Sequence, residues 1–497
     1  MNQESTARAA ATPTKCSLFR MLIYGSGECA SSLVMNSIFA FAMLYYTKAL
    51  GLDPSWAGIA MSVSVLWEAI TEPVIGHLSD NTRSRWGRRH PYMVFGGLIM
   101  TACSYLIWAV PVAVQAGQLA MFWYLVVVNL ILRTGLSLFC IPYMALGFEM
   151  CTDYQGRSRL QSIRQILNMA ANLAGPALAW SLFFQDRGGL RGTTVAANYL
   201  RMGTVFSLAT AFFVALVVGG TFQWREDTRP ALRAVGGGWF RQFALNMKQL
   251  LLDPNLRWVI VFTLVTGIGT LWVSSLQVFV YDDFMKFSAD QKTIAHGSTM
   301  VGWAVGAFFS AGLAKRFDKR ATVVLGGLVS LVGNGMLALL FLTGLVSPGT
   351  VLVAGGISIP LASWLFVAFH ASYWLGIGIA VPVSIGMIAD VSEFHFLQTG
   401  TKKDGAYSSI ASLTLRLACA IGMITSGFCL SFIGYQTTPG VESASQNPQA
   451  IWRLGFVTFV AGAFMGLLAM VAIRKYPLTR RSLEEMRATK GGFPSLR

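Results

Sequence analysis

The sequence has 497 residues, of which 54% are hydrophobic and only 12% are charged, and its formal net charge is +16. Soluble globular domains carry about 25% charged residues, so this composition excludes an ordinary soluble domain and predicts a polytopic membrane protein. Lys and Arg lie in short segments between apolar runs, which favours the positive-inside pattern of membrane proteins over nucleic-acid binding. The cysteines show no metal-ligand spacing, and we expect neither a metal nor a cofactor.

The apolar runs, taken in chain order, predict twelve transmembrane helices, because a helix needs roughly 20 apolar residues to cross a bilayer. In the first half the runs lie near residues 20–49, 56–79, 91–113, 118–150, 159–184 and 201–222. In the second half they lie near residues 257–281, 294–315, 321–345, 350–392, 406–434 and 451–474. The run 350–392 exceeds one span, so we expect an irregular or re-entrant start followed by a helix that ends near Glu393.

Six spans on each side of a basic connection predict an all-α membrane protein built from two six-helix bundles. We expect an N-terminal bundle in residues 1–222, a central cytoplasmic loop in 223–256, a C-terminal bundle in 257–474 and a cytoplasmic tail in 475–497. Basic residues crowd alternate connections and the tail, which predicts that both termini face the cytoplasm of a multi-pass protein in the inner (plasma) membrane. Residues 1–20 lack the apolar core of a cleavable signal peptide.

The segment WEAITEPVIGHLSDNTRSRWGRRHPY, residues 67–92, carries the chemistry that points to transport. Glu68 and Glu72 are four residues apart and share one face of a predicted helix. Carboxylates in an apolar helix are costly and usually mark an ion or substrate path, whereas an Arg-rich turn marks the cytoplasmic end of a span. Two like charges held close together also disfavour their joint ionisation, which suits proton uptake.

The turn GHLSDNTRSRWGRRHPY (Gly76–Tyr92) resembles the loop between helices two and three of the major facilitator superfamily. In this turn we expect Gly76 to permit close helix packing, and Asp80 to pair with Arg88 or to cap the next helix. Together with WEAITEP, LYYTKALGL, IPYMALGFEMCTDYQGRSRL and ADVSEF...TGTKKDGAYSS, it makes the chain similar to the glycoside–pentoside–hexuronide:cation symporters, the group of the melibiose permease. The resemblance covers nearly the whole chain, and it implies the twelve-helix major facilitator fold.

The resemblance implies a cation-coupling site on helix two. Glu68 and Glu72 occupy the places of carboxylates that serve cation coupling in the melibiose permease, and Arg416 occupies that of a helix-eleven lysine. Arg416 is expected to neutralise one of the two acids when the cation is absent. Structural salt bridges from the acids to Arg416 or Arg133 are the alternative. The coupling ion is H⁺ or Na⁺, and Cys140, which replaces an oxygen ligand of the family, favours H⁺.

The resemblance breaks at the positions that bind sugar. Ser32 and Cys140 stand where the melibiose permease has aspartates, which argues against melibiose-like recognition, while Arg164 matches a helix-five arginine. Glu28 lies one helical turn before Ser32, so it either replaces part of the lost aspartate or is an interfacial acid. Arg416 and Arg133 are also candidates for clamping an anionic substrate, and Arg133 alternatively pairs with Glu149. The predicted substrate-binding residues are Glu28, Ser32, Trp67, Arg133, Cys140, Tyr143 and Arg164.

Charged groups at the cytoplasmic helix ends are predicted to form gate or latch pairs rather than to bind substrate. One group combines Glu149, Asp153 and Arg157, and a second combines Asp390 and Glu393 with Lys402. The motif residues of the turn after helix two complete the set: Gly76, Asp80, Arg88 and Arg89.

The predicted function is cation-coupled secondary active symport of a sugar, a glycoside or a sugar acid by a monomer. The sequence contains no phosphate-binding GxxxxGK[ST] motif and no hydrolytic or redox constellation, so an enzyme is not expected. The predicted partners are a small-molecule substrate and the lipid bilayer, not nucleic acid. Two alternatives stay open: a transporter of lysolipid or another amphiphile on the same scaffold, and a non-transporting membrane assembly or sensor protein.

Overall fold

The structure, a computed structural model, describes residues 17–82, 84–150, 154–186, 190–224, 253–354, 357–400, 403–437 and 446–489. The long helices of the first half are α1 (Leu18–Ser37, continued by π-helical turns Ile38–Ala42 and Tyr45–Ala49), α2 (Pro54–Asn81), α3 (His90–Leu106), α4 (Gln118–Met150), α5 (Tyr154–Leu178, continued by Ala179–Phe183) and α6 (Ala196–Thr221).

The long helices of the second half are α7 (Pro254–Phe279, continued by Val280–Phe284), α8 (Ala289–Phe317), α9 (Lys319–Leu337, continued by Ala338–Leu342), α10 (Leu361–Thr399), α11 (Asp404–Phe432) and α12 (Pro448–Phe456, continued by Val457–Ala461 and Gly462–Ile473). Smaller elements are the helix Val112–Gln115, the 3₁₀ turns Gly192–Thr194 and Phe222–Trp224, the strands β1 (Leu352–Ala354) and β2 (Ile357–Ile359), and the C-terminal helix α13 (Arg480–Thr489).

Within the described residues, ten helices are long and apolar enough to cross a membrane, namely α2 and α4 to α12. Together with α1 and α3 they follow the twelve predicted spans in order. The chain is therefore a multi-pass membrane protein whose helices form two sets, α1–α6 and α7–α12, called the two halves below.

Several helices begin at local sequence features that satisfy their first backbone N–H groups. Asp53 caps α2 by accepting a hydrogen bond from the backbone N–H of Ser55 at 2.8 Å, and Pro54 occupies the first turn. Asp253 and Pro254 do the same at the start of α7. These caps fix where the spans start after the connecting loops.

The long apolar run at residues 350–392 divides differently from the expectation. Its irregular start is an antiparallel hairpin in which Leu352 of β1 pairs with Ile359 of β2. The helix that follows, α10, continues past Glu393 and ends at Thr399, so the predicted end was wrong. The helix continues because residues 393–399 contain no Gly or Pro, and it ends where Gly400 adopts a left-handed conformation with φ 72°.

Among the described residues, the two halves meet mainly along α2 with α11 and α5 with α8, and α7 also contacts the π-helical continuation of α1. The α2–α11 crossing is close at Gly58, where an added Cβ would lie 2.5 Å from the carbonyl oxygen of Met423. At Gly76, by contrast, an added Cβ would lie 3.6 Å from Ile141, which is an ordinary contact. Packing at Gly76 therefore does not require glycine, contrary to the expectation from the motif, whereas packing at Gly58 does.

The helices run alternately in opposite directions between two ends of the molecule. We call the end where α1 begins and α12 ends the terminal end, and the other the opposite end. Contacts agree with this arrangement: at the terminal end His90, which begins α3, lies 3.2 Å from Thr221, which ends α6. At the opposite end, Ser55 near the start of α2 lies 2.7 Å from Ser431 near the end of α11.

Candidate transport site

The carboxylates of α2 bind arginines from two other helices. Arg416 of α11 places its Nη1 2.7 Å from Glu68 Oε2 and also contacts Glu72 through Nη2. Arg133 of α4 donates to the same Glu68 oxygen at 2.9 Å. Two negative and two positive charges therefore meet between α2, α4 and α11, so the cluster carries no net charge.

Burial explains why each charged group of this cluster has a partner of opposite charge. The side chain of Arg133 is 2% exposed and that of Glu68 12% exposed. A charged group removed from water is strongly unfavourable unless it is paired and hydrogen-bonded. The salt bridges foreseen as an alternative to cation coupling are thus present, and Arg133 pairs with Glu68. Pairing leaves coupling possible, because a cation that binds one of these carboxylates competes directly with a guanidinium.

A second ion pair joins α1 to α5. Arg164 donates from Nε to Glu28 Oε1 at 2.9 Å, and its Nη2 contacts the same oxygen. The guanidinium carbon lies 5.1 Å from the ring centroid of Tyr143 and 5.8 Å from that of Tyr24. Tyr143 is buried, and its hydroxyl donates to the backbone oxygen of Tyr24. The structure places Tyr143 behind Arg164, where its ring fixes the position of the guanidinium.

Three asparagines extend this pair along both helices. Asn168 donates to Ser32 Oγ at 2.8 Å and to Glu28 Oε2 at 3.3 Å. Asn172 donates to Asn168 at 3.0 Å, and Asn36 contacts Asn172 and donates to the Ser32 carbonyl at 2.9 Å. The spacing is four residues on each helix, so a polar stripe of α1 faces a polar stripe of α5. We call this set the polar ladder: Glu28, Ser32, Asn36, Arg164, Asn168 and Asn172.

Two further predicted residues lie on α2 and α4. The indole N–H of Trp67 donates to Thr134 Oγ1 at 2.9 Å, and 41% of the Trp67 side chain is exposed. Cys140 of α4 is partly buried and is a free thiol. Trp67 precedes Glu68 on α2, and its indole packs against α4 at Thr134.

Two ion pairs that involve predicted gate residues are described at the terminal end, one in each half. Asp80 lies 3.7 Å from Arg89, and Arg88 lies in the same turn. Asp390 of α10 accepts from Lys319, which begins α9, at 2.6 Å, and Glu393 follows on the same helix. Of the remaining gate predictions, Glu149 and Arg157 lie on α4 and α5 with side chains outside the described part, and Asp153 and Lys402 lie outside the described residues.

The sequence prediction missed the three asparagines of the polar ladder. Asn36 lies four residues after Ser32, and Asn168 lies four residues after Arg164 and four before Asn172. This repeat was a usable signal, because amides on one face of a membrane helix are costly without hydrogen-bond partners. It also missed four charged residues at the opposite end, Lys48, Asp282, Asp283 and Lys292. Each lies near the limit of an apolar run, where charges are ordinary, so the sequence offered little to distinguish them.

Comparison with known proteins identifies the family. Residues 23–480 match the family described as MFS/sugar transport protein. The chain belongs to this family. This membership confirms the predicted resemblance, the major facilitator fold and the class of function, sugar symport, and it places the chain among transporters rather than enzymes.

Individual relatives agree with the family over most of the chain. The transporter is 26% identical to an uncharacterized symporter of Synechocystis sp., with 92% of this chain and 94% of the relative covered. It is also 26% identical to the glucuronide carrier protein homolog of Escherichia coli, with 93% of each chain covered. Among solved structures, a D-xylose-proton symporter superposes with a TM-score of 0.62 at 13% identity, covering 93% of this chain and 98% of that one. That likeness shows the shared fold.

Proposed function

We propose that the transporter couples the movement of H⁺ or Na⁺ to the symport of a sugar, a glycoside or a sugar acid. We further propose that it acts as a monomer in the inner (plasma) membrane with both termini in the cytoplasm, as the distribution of basic residues indicates. One relative is named as a glucuronide carrier homolog, which supports a sugar or sugar acid as the substrate. The boundaries of the bundles at residues 1–222 and 257–474 belong to the same proposal.

The observation that carries the coupling proposal is the shared guanidinium of Arg416. It joins α11 in one half to Glu68 and Glu72 of α2 in the other. A proton or Na⁺ bound at either carboxylate removes negative charge and weakens the attraction of Arg416 for α2. Cation binding thereby changes the electrostatic link between the halves, as alternating access requires.

The substrate is proposed to bind beside this cluster, at the polar ladder of α1 and α5. Amide, hydroxyl, guanidinium and carboxylate groups provide the donors and acceptors that match the hydroxyl groups of a sugar ring. Trp67 supplies an aromatic face. Arg164, held by Glu28 and stacked on Tyr143, provides a fixed positive charge for a substrate carboxylate. Cys140 on α4 contributes a side chain of low polarity to the proposed substrate site.

The test is the thermal stabilisation of the purified transporter by candidate ligands, since a ligand that binds the folded state raises Tm by mass action. Sugars, uronates, sulfosugars and lysolipids would be screened at two pH values, with and without Na⁺. We expect a sugar or a sugar acid to raise Tm, and we expect the shift to depend on pH or Na⁺. Stabilisation by lysolipid alone would replace the sugar proposal with the amphiphile alternative.

Glu68→Gln tests where the cation acts, and Glu484→Gln on the exposed helix α13 is the matched control. We expect Glu68→Gln to abolish the dependence of ligand binding on pH or Na⁺, while Glu484→Gln retains it. Retention of full cation dependence in Glu68→Gln would move the coupling site elsewhere. Uptake driven by an imposed cation gradient in proteoliposomes would exclude a non-transporting role.

A further inference from the structure

A cluster of buried charges lies at the opposite end, away from the candidate transport site. Lys48 at the end of α1 contacts Asp282, and its Nζ lies 2.7 Å from Asp283 Oδ1. Lys292 near the start of α8 lies 2.5 Å from the other Asp282 oxygen. These four side chains are at most 3% exposed, so the protein excludes water from all of them. We call Lys48, Asp282, Asp283 and Lys292 the buried charge cluster.

Both halves of the transporter bind Asp282. From the first half, Thr193 donates to Asp282 Oδ2 at 2.6 Å and Arg191 Nη1 lies 3.3 Å from Oδ1, in addition to Lys48. Lys292 also binds Asp282, and both of these residues belong to the second half. Asp282 therefore has two kinds of contact: those with Lys48, Arg191 and Thr193 join the two halves, whereas that with Lys292 lies within the second half.

Asp283 shows the same division. Lys48 reaches it from the first half, and the hydroxyl of Tyr435, which follows α11 in the second half, donates to its other oxygen. If the halves separate at this end, Asp282 keeps Lys292 and Asp283 keeps Tyr435. Lys48 is the group that loses both of its carboxylate partners.

We propose that the buried charge cluster is the lock that closes the opposite end of the transporter, with Lys48 as the group that must be released for this end to open. The lock does not depend on which substrate or cation is carried, so it stands apart from the proposed function. Buried opposite charges in hydrogen-bonding contact attract strongly, and separating them is costly until water replaces the lost partners. Lys292 lowers that cost, because it leaves Asp282 neutralised in the opened state.

Two ion pairs described at the terminal end each join residues of the same half. Asp80 and Arg89 both belong to the first half, and Lys319 and Asp390 both belong to the second. Breaking Lys319–Asp390 therefore removes a Lys–Asp pair that lies within one half. This pair is the matched control for Lys48.

The test measures a distance across the opposite end by double electron–electron resonance. Spin labels would be attached to Val112→Cys in the first half and Val353→Cys in the second, both on exposed side chains, in the full chain with the native cysteines replaced. The labelled parent is expected to show a short, closed distance. Lys48→Met should increase the ratio of the open to the closed population on the order of tenfold or more, as expected when one partner of a buried ion pair is removed.

Two further variants keep the proposal testable if Lys48→Met does not fold. Asp283→Asn leaves Lys48 with Asp282 and should shift the populations in the same direction by a smaller factor, and Thr193→Val should do so as well. Lys319→Met should leave the distance distribution unchanged. Distances identical to the parent in the cluster variants, or an equal shift in Lys319→Met, would overturn the proposal.

Discussion

Glu72 of α2 contacts the guanidinium of Arg416 on α11, so an ion pair links the two halves of the transporter within their helical spans. The same guanidinium also binds Glu68 at 2.7 Å. A cation that binds these carboxylates must therefore compete with Arg416. Cation affinity and the link between the halves are consequently coupled through one side chain.

Removing the guanidinium should strengthen cation binding. In Arg416→Ala the carboxylates lose a competitor, and we expect the apparent affinity for the coupling cation to rise roughly 5- to 150-fold, the range of a coupling free energy of about 1–3 kcal/mol. The cation-free protein should be less stable than the wild type, because Glu72 then lacks this partner. Titration of Tm against pH and Na⁺ measures both effects.

The control for Arg416→Ala is Arg481→Ala, which removes an arginine that pairs with Glu485 on the exposed surface of α13. Surface pairs of this kind contribute little to stability. We expect Arg481→Ala to follow the wild-type titration. A cation affinity of Arg416→Ala at or below the wild-type value would contradict competition between the guanidinium and the cation.

Glu28→Gln tests whether the acid of α1 belongs to the substrate site. The change removes the charge that holds Arg164 through Nε at 2.9 Å, so the guanidinium loses its fixed position. We expect the substrate affinity to fall about tenfold, the size of one charge-assisted hydrogen bond, and the pH profile of uptake to change. Unaltered uptake and an unaltered pH profile would show that Glu28 is an interfacial acid with no part in binding.

Asn168→Ala tests the polar ladder. Asn168 joins the ladder across α1 and α5 by donating to Ser32 at 2.8 Å and accepting from Asn172 at 3.0 Å. Without it, the neighbouring polar groups lose their orientation, and we expect the dissociation constant of the substrate to rise roughly tenfold or more. Isothermal titration calorimetry of the substrate identified by the Tm screen provides the measurement.

The same experiment with Gln165→Ala provides the control, because Gln165 is an exposed amide on the same helix. Equal affinity losses in the two variants would indicate a general effect on α5. A loss confined to Asn168→Ala would assign the effect to the ladder.

The sequence predicted the features that depend on local spacing. Glu68 and Glu72 share a helix face because they are four residues apart, and the spans follow from the thickness of the bilayer. The partners of these acids could not be predicted from spacing, since Arg416 is 348 positions from Glu68 along the chain. Lys48 and Asp282 are likewise 234 positions apart. Such contacts depend on how α1, α7 and α11 are placed relative to one another.

Gly58→Ala tests the close crossing of α2 and α11 between the two halves. The added Cβ would lie 2.5 Å from the Met423 carbonyl oxygen, and backbone atoms cannot move aside as a flexible side chain can. The helices α2 and α11 must therefore separate, and we expect a loss of about 1–3 kcal/mol in stability, as in other overpacked interiors. The measurement is the Tm of the purified transporter.

Gly76→Ala on the same helix is the matched control, because its Cβ would meet Ile141 at an ordinary 3.6 Å. Alanine favours a helix over glycine by up to about 1 kcal/mol, so this variant should melt at or above the wild-type temperature. Gly427 faces Gly58 across the crossing, so the double variant Gly58→Ala/Gly427→Ala should lose less stability than the sum of the single losses. Once Gly58→Ala has separated the helices, Gly427→Ala finds part of its space already open. Equal melting temperatures for Gly58→Ala and Gly76→Ala would show that the crossing does not require glycine.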